Sequence, residues 1–217
     1  MTAIVPTYTA AQVRAAEAPL LAAGIPLMRR AAAALAEVIA EHEPKRMLVL
    51  AGAGDNGGDA LFAAAAIAAR GVRVDVLRTS ERVHEQAFAA ATEAGAITVG
   101  LKGLETATYD LVIDGILGIG ARGGLRGAAR AAVRALLRAS PRVVAVDLPS
   151  GLDPDTGKAD GFVLPARTTV TFGAVKAGLA LGDGPRLSGR IVLVDLGLRL
   201  GSANAVGEAA VSEVRRG

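Results

Sequence analysis

The sequence predicts an α/β domain of the Rossmann-like, doubly wound type, in which helices cover both faces of a mainly parallel sheet. Apolar, strand-like runs alternate with alanine-rich helical segments from residue 46 to residue 147, and such alternation implies parallel pairing through right-handed crossovers. Aromatic residues make up only 3% of the chain and hydrophobic residues 52%, so the core consists of small aliphatic side chains that suit buried parallel strands. Glycine-rich segments follow three of the strands, where open parallel sheets bind their ligands.

The first 45 residues predict two helices. Thr9 and Gln12 have the spacing of a capping box, which opens a helix toward Gly24 that Pro19 kinks or ends early. A second helix is predicted from Pro26 to about residue 43. Because these helices precede the alternating elements, we expect them to form the interface of a possible homodimer.

The alternating elements follow in order. The pattern predicts strands at 46–51, 72–77, 97–99, 111–114 and 142–147, and helices at 58–70, 81–94 and along an arginine-rich segment from 122 to 138. Ser80 is the expected N-cap of the helix at 81–94. Strands at 168–172 and 190–195 extend the sheet, and the tail at 202–217 is expected to be a loose helix or disordered. We expect a single domain over residues 1–217.

Composition excludes several classes of function. Cysteine is absent, which excludes disulfides, thiolate nucleophiles and cysteine-ligated metals. Zinc is not expected, because the only histidines, His42 and His84, read as surface residues. The chain starts without a basic, apolar targeting segment and has no stretch of about 18 apolar residues, so a soluble, cytoplasmic protein without membrane contact is expected.

An arginine stripe recurs every four residues along one predicted helix, at Arg122, Arg126, Arg130, Arg134 and Arg138. Like charges at this spacing repel, so the stripe predicts a solvated helix face. Nucleic-acid binding is not expected, since the sequence shows neither aromatic stacking residues nor a known reading module.

The segment MLVLAGAGDNGGDALF raises the question of function. Gly52, Gly54 and Gly57 satisfy the G-x-G-x-x-G pattern of dinucleotide binding between a strand and a helix. Asp55 and Asp59 lie in the same turn, where a bound pyrophosphate disfavours negative charge. The next strand also lacks a terminal acidic residue for a ribose. A Rossmann oxidoreductase therefore stays an alternative rather than the first interpretation.

Three oxygen-bearing side chains lie at or just after the ends of three predicted strands: Asn56, Asp114 and Ser150. Hard cations prefer oxygen ligands supplemented by backbone carbonyls. A single carboxylate among neutral oxygens suits a weakly charged ion, so these residues predict a monovalent cation site. Each residue taken alone also has a structural explanation as a turn former, a helix cap or a turn hydroxyl.

Asp147 closes the strand VVAVD, at an edge where a buried carboxyl can act as a general acid or base. A turn ligand is its structural alternative. Asp153, Asp155 and Asp160 are explained by turn chemistry. Lys176 follows a strand and either faces the site or lies in solvent.

The motifs GAGDNGGDAL, DLVIDGILGIG, VVAVDLPSGLDPDTG, TVTFGAVKAGLALG and GRIVLVDLGL, in this order, resemble the YjeF N-terminal domain family, the NAD(P)H-hydrate epimerases. The resemblance runs from about residue 8 to residue 198. It implies a three-layer αβα domain that interconverts the R and S forms of hydrated NADH and NADPH, a repair reaction on damaged cofactor.

The resemblance also implies roles for individual residues. Its substrate-binding positions fall on Asp55, Asn56, Gly57, Gly58, Asp59, Gly118, Ile119, Gly120, Ala121, Arg122, Gly123, Gly124 and Asp147. Its potassium (K+) ligands fall on Asn56, Asp114 and Ser150, and its substrate-contacting aspartate is Asp147, the residue that we expect to be catalytic.

Four positions depart from the family pattern, one of them Ala177, which replaces the proline of a K-P-G motif after Lys176. Asp55 replaces an asparagine and Ala60 a glycine, and Arg29 stands where the family commonly has an acid. Many family members are fused to an ATP- or ADP-dependent dehydratase, so a dehydratase that acts in sequence is an expected functional partner. A non-catalytic scaffold that binds a nucleotide or a protein stays open beside the enzyme.

Overall fold

The computed structural model describes residues 2–104, 106–120, 123–159 and 161–217. Its strands are β1 (Ala3–Tyr8), β2 (Arg46–Ala51), β3 (Arg73–Arg78), β4 (Ile97–Thr98), β5 (Leu111–Gly115), β6 (Val143–Val146), β7 (Thr168–Phe172), β8 (Val175–Lys176), β9 (Arg190–Asp195), β10 (Gly207–Val211) and β11 (Glu213–Arg216). Its helices are α1 (Ala10–Ala22), α2 (Leu27–Ala40), α3 (Asp55–Ala68), α4 (Glu85–Glu93), α5 (Gly127–Ala139) and α6 (Gly184–Leu187).

The central sheet has eight strands in the order β11-β9-β7-β6-β5-β2-β3-β4, and each neighbouring pair is parallel. Alternate residues of β2 point to opposite faces: Met47 and Val49 pack with α2, α3 and α4, whereas Leu48 and Leu50 pack with α5. The predicted αβα class is therefore confirmed. The order places the carboxyl ends of β6, β5 and β2 side by side.

Helix α1 begins with the predicted capping box, since the Thr9 side chain accepts from the Gln12 amide and the Gln12 side chain accepts from the Thr9 amide. Pro19 lies inside the helix, which continues to Ala22. No single helix of the described residues is long and apolar enough to cross a membrane. The one helix pair that meets those criteria together, α1 with α2, is bent by 114°.

Three helix starts differ from the prediction, and one of them is that of α5, which begins at Gly127 with Arg126 at its N-cap rather than at residue 122. Helix α3 begins at Asp55 rather than at residue 58, with Gly54 at its N-cap, so the DNGGD segment forms its first turns. Helix α4 begins at Glu85 and is capped by His84, whose Nδ1 accepts from the Ala87 amide at 3.2 Å. The prediction of Ser80 as the cap was wrong, because the imidazole supplies the acceptor four residues later.

The tail expected to be loose forms two strands instead. Strand β10 pairs antiparallel with β1 and buries Ala209 and Val211, and β11 pairs parallel with β9. Strand β1, which the sequence did not predict, lies between β10 and β8 in a separate three-stranded sheet. Strands β1 and β10 pair with each other although they lie at opposite ends of the chain, so the local sequence pattern did not reveal them.

Candidate active site

A cavity of about 1090 Å³ opens beyond the carboxyl ends of β2 and β5. The polar and charged residues that line it are Glu17, Asp55, Asn56, Asp59, Glu81, Arg82, Glu85, Asp147 and Lys176. Asp114 and Ser150 are almost fully buried beside it. The sheet therefore brings together Asn56, Asp114, Ser150 and Asp147, which the sequence placed at separate strand ends.

Glycines let the first turn of α3 approach its neighbours closely. A Cβ added at Gly52 would lie 1.9 Å from the Ile116 carbonyl oxygen, and one at Gly57 would lie 2.1 Å from the Gly52 carbonyl oxygen. Both distances are far inside van der Waals contact, so no larger side chain fits without a backbone shift. This packing fixes the helix start against the loop after β5.

Asn56, Asp114 and Ser150 belong to one hydrogen-bond network. The Ser150 hydroxyl donates to Asp114 Oδ1 at 2.6 Å, and the Ser150 amide donates to Asp114 Oδ2 at 2.9 Å. The Leu117 amide donates to Ser150 Oγ at 2.9 Å, and Asn56 Nδ2 donates to the Leu117 carbonyl at 3.0 Å. Asn56 Oδ1 lies at the surface of Gly118, 3.1 Å from where a Cβ would stand.

The donor set of this network fits a monovalent cation. Asp114 is fully buried, and among the described residues it has hydrogen-bond donors but no basic side chain within ion-pair distance. Burial raises the pKa of the Asp114 carboxyl, while the hydroxyl and amide of Ser150 oppose that shift. An uncompensated buried carboxylate next to an amide oxygen and a hydroxyl is the environment that a weakly charged cation neutralises.

Asp147 follows β6 directly and adopts a left-handed backbone conformation, with φ of +67°. This conformation is uncommon for a residue with a side chain. The side chain is 6% exposed, and its Oδ1 accepts from Thr171 Oγ1 and from the Phe172 amide, both at 3.3 Å. The turn thus directs a nearly buried carboxylate into the cavity.

Lys176 forms an ion pair with Asp147 and is only 1% exposed. Its Nζ also donates to the Phe172 carbonyl at 2.8 Å and to Thr171 Oγ1 at 3.2 Å. The sequence left Lys176 between the site and solvent, and the structure places it in the site. Strand β8 holds it there through the pairing of Lys176 with Tyr8 of β1.

Three further carboxylates face this ion pair. Burial raises the pKa of Asp59 well above its ordinary value, and Asp147, Asp55 and Glu17 raise it further. Burial also raises the pKa of Glu17, which Lys176 opposes. Asp55 is exposed on the cavity wall, so the departure from the family asparagine adds negative charge to the site.

The sequence reasoning missed Glu17. Val13 is fully buried, and Glu17 lies one helical turn later on the same side of α1. The i, i+4 spacing from a core residue was the available signal. Arg29, which replaces a family acid, instead stacks over the Phe62 ring at 3.7 Å.

The loop after β5 is divided between two cavities. Gly118, Ile119 and Gly120 line the large cavity, while Gly118, Gly123 and Gly124 line a smaller one of about 240 Å³. The predicted binding residues Ala121 and Arg122 lie outside the described residues, as does Asp160.

The aspartates of the loop after β6 have structural roles. Asp153 Oδ1 accepts from the Thr156 amide and hydroxyl, as its turn assignment predicted. Asp155 Oδ1 accepts from the Ala10 amide at 2.6 Å and so ties this loop to the start of α1.

Two further sequence features have structural explanations. Asp75 is 1% exposed, and its Oδ2 accepts from Arg46 at 2.8 Å and from the Tyr109 hydroxyl at 3.0 Å. It is therefore engaged at the amino-terminal side of the sheet and does not serve as a ribose ligand. The described arginines of the stripe, Arg126, Arg130, Arg134 and Arg138, are exposed, as predicted.

A family model described as "YjeF-related protein N-terminus" matches residues 24–178. The chain belongs to the YjeF_N family. A YjeF_N relative named NAD(P)H-hydrate epimerase, from Microbacterium testaceum, is 57% identical, and the match covers 97% of this chain and 87% of the relative. A second relative of the same name, from Clavibacter michiganensis subsp. michiganensis, is 49% identical over 94% of this chain and 95% of its own length.

One longer relative and one solved structure also match nearly the whole of this chain. The relative named bifunctional NAD(P)H-hydrate repair enzyme Nnr, from Mycobacterium tuberculosis, is 43% identical over 96% of this chain, which spans 45% of that protein. The crystal structure of yeast ynu0 superposes with a TM-score of 0.77 at 19% identity and covers 92% of this chain and 93% of its own. That likeness supports the αβα fold.

Proposed function

We propose that this protein is an NAD(P)H-hydrate epimerase, an isomerase that interconverts the R and S forms of hydrated NADH and NADPH. The observation that carries the proposal is the name shared by relatives that match nearly the whole chain at 49% and 57% identity. The site supports it, because one cavity is lined by Asp147 and by residues of the two glycine-rich segments that follow β2 and β5.

The reaction changes the configuration at C6 of the hydrated nicotinamide ring. The lone pair of the ring nitrogen helps to expel the C6 hydroxyl as water, which leaves a planar iminium carbon, and water then adds again. The enzyme must supply a proton to the departing hydroxyl and accept one from the entering water. Such general acid–base catalysis contributes about 10²–10⁴-fold to a rate.

Asp147 is the group to which we assign this proton transfer. Its carboxylate lies in the cavity wall, and Lys176 together with the Phe172 amide fixes its position. The ammonium of Lys176 balances the charge of Asp147, which lowers the cost of holding a carboxylate in a nearly dry site.

The turns around Asp147 would hold the nucleotide. The segment Asp55–Asp59 lies at the N-terminus of α3, where free amide groups and the helix dipole favour an anionic group. Asn56, Asp114 and Ser150 would hold a potassium ion, which when bound supplies positive charge between the strand ends and offsets the surrounding carboxylates. Gly118 and Gly120 of the loop after β5 line the same cavity and would also contact the nucleotide.

The test is chiral chromatography of NADHX after incubation with the pure protein. The wild type should bring either pure epimer to the equilibrium mixture faster than buffer does. Asp147→Asn is nearly isosteric but cannot shuttle a proton, so it should bind NADHX with unchanged affinity and epimerise it at least 100-fold more slowly. Epimerisation by this variant at close to the wild-type rate would remove Asp147 from the mechanism.

The same assay separates the alternatives. An oxidoreductase would turn over intact NAD(P)H with an alcohol or carbonyl compound, and a scaffold would bind nucleotide without epimerising NADHX. A dehydratase that acts in sequence on the same hydrated cofactor stays a proposed functional partner, and the relatives named bifunctional NAD(P)H-hydrate repair enzyme support a second repair activity beside this one. The homodimer stays a prediction, which light scattering tests.

A further inference from the structure

The cavity contains a buried carboxyl that the mechanism above does not use. Asp59 is 8% exposed, lines the cavity together with Asp147 and Lys176, and leaves its Oδ1 without a hydrogen-bond partner. No basic side chain of the described residues lies within ion-pair distance of it. A buried polar atom without a partner costs stability, so its retention beside a cavity points to a ligand that completes its hydrogen bonding.

The stereochemistry of the reaction requires proton transfer on both faces of the nicotinamide ring. Epimerisation through a planar carbon means that the hydroxyl leaves from one face of the ring and water arrives on the other. A carboxyl fixed on one side of a bound ring reaches only one of these faces. Either the ring turns over in the site or a second carboxyl stands on the opposite side.

Asp147 and Asp59 enter the cavity from different elements. Asp147 follows β6 of the sheet, whereas Asp59 belongs to α3, which packs on one face of that sheet. We propose that Asp59 is the second acid–base residue and serves the face of the nicotinamide ring opposite to the one that Asp147 serves. This inference rests on the proposed epimerase function and assigns a proton-transfer role to a residue that the family pattern implies only as a binding position.

The electrostatics of the site favour this division of labour. The carboxylates of Asp147, Asp55 and Glu17 face Asp59 and, together with burial, raise its pKa, while Lys176 opposes them. The raised pKa favours the protonated form of Asp59, which can give its proton away, whereas Asp147 is paired with the Lys176 ammonium and can accept a proton. Neighbouring carboxyls in unlike environments commonly take opposite roles in this way.

The proposed step transfers one proton to the leaving hydroxyl and takes one proton from the entering water. Asp59 gives its proton to the C6 hydroxyl, the C–O bond breaks, and water leaves as the nitrogen lone pair forms the iminium. Water then adds to C6 from the opposite face, and its proton passes to Asp147. The enzyme ends with the proton on Asp147 and a charged Asp59, and it returns either by exchange with solvent or by converting the other epimer back.

Exchange of oxygen with H₂¹⁸O tests this assignment, because it follows each epimer separately. Asp59→Asn should lower epimerisation at least 100-fold. It should nevertheless incorporate ¹⁸O into one epimer with retention of configuration, since Asp147 can still remove and restore the hydroxyl on its own face. Asp147→Asn should exchange ¹⁸O into the other epimer only.

Controls separate catalysis from folding. Asp59→Glu keeps a carboxyl and should retain measurable epimerisation, and Glu93→Gln, which removes an exposed charge on α4 outside the cavity, should match the wild type. Urea unfolding and NADHX binding establish that each variant is folded and loads its substrate.

Three outcomes would overturn the proposal. Asp59→Asn could epimerise within about threefold of the wild type, it could lose ¹⁸O exchange into both epimers equally, or it could exchange the same epimer as Asp147→Asn. A wild-type protein that does not epimerise NADHX would instead refute the proposed function, and this inference with it.

Discussion

Replacement of Lys176 by methionine tests how the site stabilises the nearly buried carboxylate of Asp147 in the cavity wall. Methionine preserves most of the length and volume of the lysine stem but removes the ammonium, which contacts Asp147, the Phe172 carbonyl and the Thr171 hydroxyl. Lys176 is 1% exposed and Asp147 is 6% exposed, so water cannot readily replace the lost cation.

The expected cost is large for a single substitution. Removing one partner of a buried ion pair typically destabilises a protein by about 3–5 kcal/mol, because the other charge stays buried without compensation. The loss of the hydrogen bond from Lys176 Nζ to the Phe172 carbonyl is included in this figure. Against a total stability of roughly 5–15 kcal/mol, Lys176→Met should lower the melting temperature by roughly 6–20 °C for a chain of this size.

Urea denaturation of a double-mutant cycle is the measurement. Lys176→Met should lower the urea midpoint without changing the m-value. The double variant Lys176→Met/Asp147→Asn should be more stable than Lys176→Met alone, because it leaves no buried charge unpaired. Two results would contradict this reasoning. Lys176→Met could unfold at the wild-type urea concentration, or the stability losses of Lys176→Met and Asp147→Asn could simply add in the double variant; either would mean that the ion pair does not stabilise the site.

Three further predictions concern the same region. Gly52→Ala should unfold at a clearly lower urea concentration and lose epimerase activity, because its Cβ would lie 1.9 Å from the Ile116 carbonyl oxygen, whereas Gly54→Ala, with nothing within 4 Å, should be tolerated. The pKa of Asp59 in the folded state is raised above its ordinary value of 3.8. The protonated Asp59 carboxyl therefore contributes fully to stability below pH 3.8, and this contribution is lost as the pH rises through the folded-state pKa. Asp59→Asn should therefore gain stability relative to the wild type as the pH rises from about 4 to 7, as pH-dependent urea unfolding would measure. Exchange of potassium for tetramethylammonium should lower both activity and melting temperature in the wild type but not in Asp114→Asn, and an equal response of both proteins would count against the cation site.

The parallel sheet could be predicted because its pattern is local. The apolar runs at β2, β7 and β9 were predicted at their observed bounds, since buried parallel strands read as continuous aliphatic segments between turn residues. The start of α4 was misplaced because Ser80 is a common N-cap whereas histidine is an uncommon one. The small sheet was missed because β1 contains Pro6 and depends on partners about 170 and 200 residues away.

The candidate site was predictable in part for the same reason. Asn56, Asp114, Asp147 and Ser150 follow predicted strands, and the rule for open parallel sheets brings such ends together. The ion pair of Lys176 with Asp147 was not predictable, because it depends on the three-stranded sheet rather than on the main one. Their roles in catalysis and in cation binding stay predictions until the variants above are measured.

The three-stranded sheet also sets the order in which the site can be completed during synthesis. Strand β8, which carries Lys176, rests on β1, and β1 in turn is enclosed by β10 near the far end of the chain. A ribosome has therefore released almost all of the polypeptide before the support behind the lysine can close. Until then, Asp147 lies in a nascent domain without a fixed counter-charge. Termination between residues 196 and 206 would leave seven of the eight strands of the central sheet but remove β10, and with it the strand that pairs with β1 behind the candidate site.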